Sequence, residues 1–254
     1  MDYHGLAATL DHAAKNAQSI DQLSHTQPFN VEDAYVIQSL SMARRYRRGE
    51  KWCGLKLGFT SFAKMEQMGI RDMIWGRLTD KMHFGSSQKL VRSNFIHPRA
   101  EPEIAFRLKQ DVVEALTLEN CKSFVDGIAV AIEIIDSRFQ NFKFSLEDVI
   151  ADNCSSSGFA VGEWHGVESN IENEEIQLIL DNEVVEKGNT NAILGNPWLA
   201  FCAATRLAMQ YHEFLPSGTI ILAGAATPAI YIDGKEQVKA TVVGLGMAQI
   251  NITN

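Results

Sequence analysis

The rhythm of hydrophobic and polar positions changes once along this chain, near residue 50. Before that point apolar residues recur at helical spacing and predict two helices. One lies within 3–17. The other starts behind Asn30, an N-cap followed by Glu32 and Asp33, and ends near Gly49 after Arg44, Arg45, Arg47 and Arg48. Acidic residues in the first turn and basic ones in the last complement the helix dipole, which is the simplest reading of the four arginines. From Trp52 onward, short apolar segments bounded by turn residues predict strands over 54–59, 101–108, 127–135, 158–161, 176–180, 183–186, 219–223, 229–232 and 238–252. Asp181-Asn182 and Asp233-Gly234 read as tight turns between antiparallel strands. Four further helices are expected: Ser61 caps 62–68, Thr117 opens 118–125, Ser145 opens 146–150 with Asp148 at the capping-box position, and Asn196-Pro197 starts 198–211. The order is not a regular β-α-β alternation, so the predicted class is α+β rather than a doubly wound sheet.

Three glutamates interrupt this apolar texture. Glu101 and Glu103 stand in Ala100-Glu-Pro-Glu-Ile-Ala-Phe106, and Glu133 stands in Ile128-Ala-Val-Ala-Ile-Glu-Ile-Ile-Asp136. Burying an unpaired anion is costly, so a carboxylate within such a strand is paired, protonated or bound to a metal. Residues i and i+2 of a strand share a face, so Glu101 and Glu103 form a two-carboxylate wall. With Glu133 as a third ligand from a neighbouring strand they would make an all-oxygen site suited to Mg²⁺ or Mn²⁺. A competing arrangement puts Glu101 and Glu103 on a solvated face and pairs Glu133 with Arg99 or Arg138; the pattern leaves both open. Lys56, flanked by apolar residues and glycines, is a candidate donor to a substrate oxygen or simply an exposed strand lysine. The loop Asp152-Asn-Cys-Ser-Ser-Ser-Gly158 offers amide and hydroxyl donors of the type that orient an anion, and equally of the type that close turns.

Composition narrows the classes. With 254 residues and 46% apolar content, the chain builds a sizeable core, and its formal charge of −8 argues against nucleic acid as a partner. No run approaches the roughly 18 apolar residues of a membrane span, and the N-terminus lacks a secretory pattern, so a soluble cytoplasmic protein with no membrane partner is expected. Cys53, Cys121, Cys154 and Cys202 are scattered and read as reduced core thiols. There is no Gly-x-Ser-x-Gly elbow, Walker loop or His-Glu-x-x-His motif. His97, just before the glutamate pair, is the one histidine near the candidate chemistry.

Taken together, Gly54-Leu-Lys-Leu-Gly-Phe-Thr-Ser61, His97-Pro-Arg-Ala-Glu-Pro-Glu-Ile-Ala-Phe106, Ile132-Glu-Ile-Ile-Asp-Ser-Arg138, Ala151-Asp-Asn-Cys-Ser-Ser-Ser157 and Ile193-Leu-Gly-Asn-Pro197 resemble the fumarylacetoacetate hydrolase superfamily, in its hydratase and decarboxylase branch. The resemblance runs from about Val31 to the C-terminus. Glu-Pro-Glu, the stretch Ser137 to Ser145, and Met65-Glu-Gln-Met-Gly69 before Trp75 favour the decarboxylase side; Ala100, Cys154 and Ala225-Ala226 depart from the usual pattern. The resemblance implies an N-terminal helical arm over 1–50 and a rolled mixed β-sheet catalytic domain over 51–254. It further implies Mg²⁺ or Mn²⁺ held by Glu101, Glu103 and Glu133, catalytic Lys56, and substrate contacts from Asn153, Ser156, Ser157 and Arg138.

The implied reaction, in meta-cleavage catabolism of aromatic compounds, converts (3E)-2-oxohex-3-enedioate to 2-hydroxypenta-2,4-dienoate and CO2. Electrons from the breaking bond pass through the C3=C4 bond to the ketone oxygen. The alternative is hydration of the same dienoate; acylpyruvate hydrolysis and a catalytically silent partner subunit are weaker. A homo-oligomer is expected, and a complex with the pathway hydratase is a further implied partner.

Overall fold

The structure, a computed structural model, describes residues 1–253 apart from 63, 64, 67 and 68. Helices α1 (Tyr3–Lys15) and α2 (Val31–Arg47) open the chain. Asn30 and Asp33 form a full capping box on α2. The arginines at its far end do more than answer the dipole: Arg44 and Arg48 grip Asp11 of α1 at 3.0 and 2.6 Å, and Arg45 meets Glu50 at 3.0 Å. Helix α3 (Leu146–Ala151) carries the expected Ser145/Asp148 capping box, and Asp148 also accepts from the Ser24 backbone and hydroxyl at 3.0 and 2.6 Å. Pro197 sits in the first turn of α4 (Pro197–Gln210) behind the Asn196 cap.

The strands are β1 (Trp52–Gly58), β2 (Ile74–Thr79), β3 (Lys89–Val91), β4 (Arg99–Leu108), β5 (Val125–Ile135), β6 (Ser156–Val161), β7 (Glu175–Leu180), β8 (Glu183–Asn189), β9 (Ile220–Ala225), β10 (Ile230–Tyr231), β11 (Gln237–Val242) and β12 (Gly246–Thr253). They form two sheets, one in the order β2-β1-β9-β4-β5-β6 with β10 also on β4, the other in the order β3-β12-β11-β7-β8. β11 and β12 pack over β4 and β5. The first sheet is rolled. Three steps separate β1 from β5, about 14 Å in a flat sheet, yet Lys56 on β1 touches Glu133 on β5 at 2.8 Å. The roll closes where the segment after β2 meets β6: Phe84 N donates to Phe159 O at 2.7 Å, and Phe159 N to Met82 O at 2.8 Å.

Strand alternation sorts residues to the two sides of this roll. Outward, Ile104, Phe106, Val130, Ile132 and Ile134 join the main core, where Phe106 meets Trp198 and Phe201 of α4 with ring centroids 4.9 Å apart. Burying each such side chain contributes about 1.5–3 kcal/mol. Inward, Leu78, Met82, Ala105, Ala131, Phe159 and Leu222 form a separate buried cluster.

The structure revises several expected elements. The segment 118–125 holds only a 3-10 turn, Cys121–Phe124, before β5 begins at Val125. Thr117 N–H is taken by Asn120 Oδ1 at 2.9 Å, closing a local turn, and the following apolar residues are drawn into the sheet. The single strand expected over 238–252 is a hairpin, β11 and β12, turned at Gly244 with φ +74°. Asp233-Gly234 does turn the chain, but between β10 and β11, which lie in different sheets. Strands β2 and β3 were not foreseen: β2 is buried at every position, so it has no alternation to read, and β3 is three residues long. The helix expected over 62–68 lies largely outside the described residues.

Candidate active site

Glu101 and Glu133 are directly opposed in the antiparallel β4–β5 ladder, and Glu103 stands two residues further along the same face. One ligand atom from each of the three carboxylates lies within 4.8 Å of the others. Glu103 and Glu133 are fully buried, and the pairing of Glu133 with Arg99 or Arg138 that the sequence left open does not occur: its partner is Lys56. Glu103 Oε2 accepts from Gly224 N at 2.8 Å, an approach available because Gly224 sits at φ +101° where a Cβ would collide with Thr60 at 2.3 Å.

The electrostatics are those of a buried cluster of interacting charges. Burial, reinforced by Glu133, pushes the Glu103 carboxyl well above its ordinary range. Burial alone would lower the Lys56 ammonium, but Glu133 and then Glu101 outweigh it and hold its pKa above the usual value. Glu103 Oε1 and Glu133 Oε1 are buried without a hydrogen bond, and Glu133 Oε2 meets Lys56 as a charge contact without hydrogen-bond geometry. Buried carboxylate oxygens without donors are costly, and a hard divalent cation is the ligand that this donor set fits.

The 153–157 loop comes close to the same centre. Cys154 senses the charges of Lys56 and Glu133, and its Sγ lies 3.0 Å from Trp75 O. Asn153, Cys154 and Ser155 all adopt left-handed backbone, at φ +52°, +52° and +58°. Such a run costs roughly 1–2 kcal/mol per residue, so the surroundings must impose it. Asn153 turns its amide onto β2, accepting from Arg77 N at 2.7 Å and donating to Arg77 O at 2.9 Å. Arg138 is buried and fully engaged: Nε and Nη2 bind Asp152, and Nη1 donates to Asp136 O at 2.5 Å and Ser157 Oγ at 2.6 Å. Burial pushes Asp152 up to about 6, with Arg138 opposing. Asn153 and Arg138 therefore brace the loop through their side chains. Ser156 Oγ is buried with no partner, and Ser157 Oγ is the hydroxyl that Arg138 holds.

Residues 64–253 match the family described as Fumarylacetoacetate (FAA) hydrolase C-terminal. The chain belongs to the fumarylacetoacetate hydrolase family. Within the family it is 44% identical to a 4-oxalocrotonate decarboxylase of Pseudomonas sp over 98% of this chain and 97% of that one. A solved 4-oxalocrotonate decarboxylase from Pseudomonas putida G7, complexed with magnesium and adipate, superimposes with a TM-score of 0.94 at 31% identity, covering 99% of this chain and 97% of that one. A 2-keto-4-pentenoate hydratase of Paraburkholderia xenovorans is 30% identical over 94% of this chain and 91% of its own. The mixed helix-and-sheet class, the curled sheet and the N-terminal helices expected from the sequence are those of this family fold.

Sequence reading missed three positioning groups. Asp136 takes the Ile96 and His97 N–H groups at 2.8 and 2.7 Å, tying β5 to the entry of β4. Asp152 holds Arg138. Arg77, stacked on Trp75 at 4.6 Å and bonded to Gln38 and Glu213, fixes β2 beneath the loop. The only advance signal was an isolated charge within an apolar segment, the signal that did single out Lys56.

Proposed function

We propose that this protein is a carboxy-lyase that decarboxylates (3E)-2-oxohex-3-enedioate to 2-hydroxypenta-2,4-dienoate and CO2, with Mg²⁺ or Mn²⁺ held by Glu101, Glu103 and Glu133. The observation that carries this reading is the convergence of the three carboxylates beside buried Lys56, in a chain whose most similar relatives reported above are 4-oxalocrotonate decarboxylases. A bound divalent cation supplies Lewis acidity toward the 2-oxo acid. The chain's own residues do the rest. Lys56 presents a buried ammonium to the developing enolate oxygen and holds the proton that oxygen takes. The inward apolar cluster beneath the carboxylates keeps water from the reacting chain, which strengthens each of these charge interactions. Arg138 and Asp152 hold the loop from which Ser156 and Ser157 meet the substrate.

Purified protein supplied with Mg²⁺ and (3E)-2-oxohex-3-enedioate should release CO2 stoichiometrically with dienoate formation. If it instead consumes 2-hydroxypenta-2,4-dienoate with uptake of water and releases no CO2, the hydratase reading replaces this one. The same proposal extends to a cytoplasmic homo-oligomer that associates with the pathway hydratase, and to residues 1–50 as a helical arm on the 51–254 catalytic domain. Size-exclusion chromatography with and without the hydratase tests the assembly. Among the described residues, no helix is long and apolar enough to cross a membrane.

A further inference from the structure

Glu103 depends on a donor that has no side chain of its own. Gly224 N donates to Glu103 Oε2 at 2.8 Å, which leaves Oε1, buried without a hydrogen bond, as the oxygen available to a cation. The β4–β9 ladder does not fix this donor. Its register shifts there, since Glu103 faces Ala225 and Ala105 faces Leu222, so β9 carries one extra residue in a bulge. Gly224 lies in that bulge at φ +101°. The atoms nearest the position its Cβ would take are Cγ2, Oγ1 and Cβ of Thr60, at 2.3, 2.3 and 2.8 Å. Thr60 is itself buried, and Leu194 N donates to its carbonyl at 2.8 Å. Phe59 turns the chain out of β1 at φ +58°, and Leu194 stands at φ +51°. Bulky residues adopt such left-handed backbone only where the surroundings impose it. Leu194 is anchored on either side, by the fully buried Ile193 and by Asn196, whose Oδ1 accepts from Trp198 N at 2.8 Å to cap α4. The Ile193-Leu-Gly-Asn-Pro197 segment thus bears on Thr60, Thr60 on Gly224, and Gly224 on Glu103.

We propose that Thr60 is a positioning residue for the cation centre: its side chain seats the Gly224 bulge so that the Gly224 amide orients the Glu103 carboxylate, and the 193–197 segment holds Thr60 in place. This rests on the reading above of Glu101, Glu103 and Glu133 as metal ligands. A hydrogen bond to one oxygen of a ligating carboxylate fixes the direction of the other, and losing such a partner typically lowers metal affinity about 10–100-fold. Threonine suits the task by shape. Its two γ atoms stand equally close to Gly224, and branching at Cβ keeps χ1 stiff. Valine retains that shape, serine gives up one branch, and alanine gives up both.

The test reads the Mn²⁺ dissociation constant by calorimetry on the full-length protein and its Thr60 variants, with folding followed by thermal denaturation. Thr60→Ala should weaken Mn²⁺ binding about tenfold or more, Thr60→Ser should weaken it less, and Thr60→Val should bind Mn²⁺ as the unaltered protein does. In turnover, the Mn²⁺ concentration that gives half the maximal rate should rise in Thr60→Ala by the same factor. If Thr60→Ala does not fold, the comparison of Thr60→Ser with Thr60→Val decides the matter. Unchanged Mn²⁺ affinity in the folded Thr60→Ala variant, whatever its melting temperature, overturns the assignment of Thr60 while the metal centre stands. A loss in Thr60→Val as large as that in Thr60→Ala or Thr60→Ser overturns it as well. An unaltered protein that binds no Mn²⁺ at millimolar concentration overturns the three-carboxylate reading and this inference with it.

Discussion

The inward face of the rolled sheet has two ends built from the same strands by the same alternation, and they obey opposite rules. Leu78, Met82, Ala105, Ala131, Phe159 and Leu222 are apolar side chains buried against one another. Further along the same face, Glu101, Glu103, Glu133 and Lys56 put charge into the same space, where Glu103 Oε1 and Glu133 Oε1 are buried without a hydrogen bond. The first end stabilises the fold. The second is held in place by the fold and carries buried charge that the proposed cation would neutralise. Stability and function are thus separated along single strands rather than between domains.

Substitutions at the two ends should separate the two quantities. Replacing Glu133 with Gln should lower decarboxylation at least about a thousandfold, by removing a metal ligand and the partner of Lys56. Turnover retained by this variant in metal-stripped buffer would remove the charged end from the mechanism. At the other end, Leu78→Ala should cost about 2–5 kcal/mol in urea denaturation while the melting temperature still rises on addition of Mn²⁺. If that response disappears with the cavity, the two ends are one unit.

Metal itself gives a smaller effect. At about one hundred times its dissociation constant, Mn²⁺ should stabilise the protein by about 2.7 kcal/mol, and EDTA should reverse this. Glu103→Gln should lose the response yet melt above the unaltered metal-free protein, because the substitution removes a buried charge that Glu133 repels. The smallest effect is expected at the rim. Burial holds the His97 pKa below its ordinary 6.5. The unfolded chain therefore binds a proton more readily below pH 6.5, and the stability His97 contributes is present above that pH and lost as pH falls beneath it. The acid-side loss of melting temperature should be shallower in His97→Phe; an identical pH profile would show that His97 titrates alike in both states.

How much of this was legible beforehand follows the range of the interactions. The capping boxes at Asn30 and Ser145 and the turn at Asp181-Asn182 are local, and sequence sufficed for them. The shared face of Glu101 and Glu103 needs only the strand period. Strand β2 stayed hidden because burial on both faces erases alternation. The resemblance implied substrate contacts from Arg138 and Asn153; in the fold their side chains also hold Asp152 and the Arg77 backbone, partners that residue type does not reveal.

By itself, the sequence determined that two carboxylates lie side by side on a strand and that a third stands in another apolar strand, because each follows from residue type and a period of two; it left open whether Lys56 faces them or solvent. Tertiary structure decided which cation Glu133 meets and which end of the roll is apolar. Those outcomes depend on strands three places apart being brought into contact by closure of the sheet, and no local period encodes that distance.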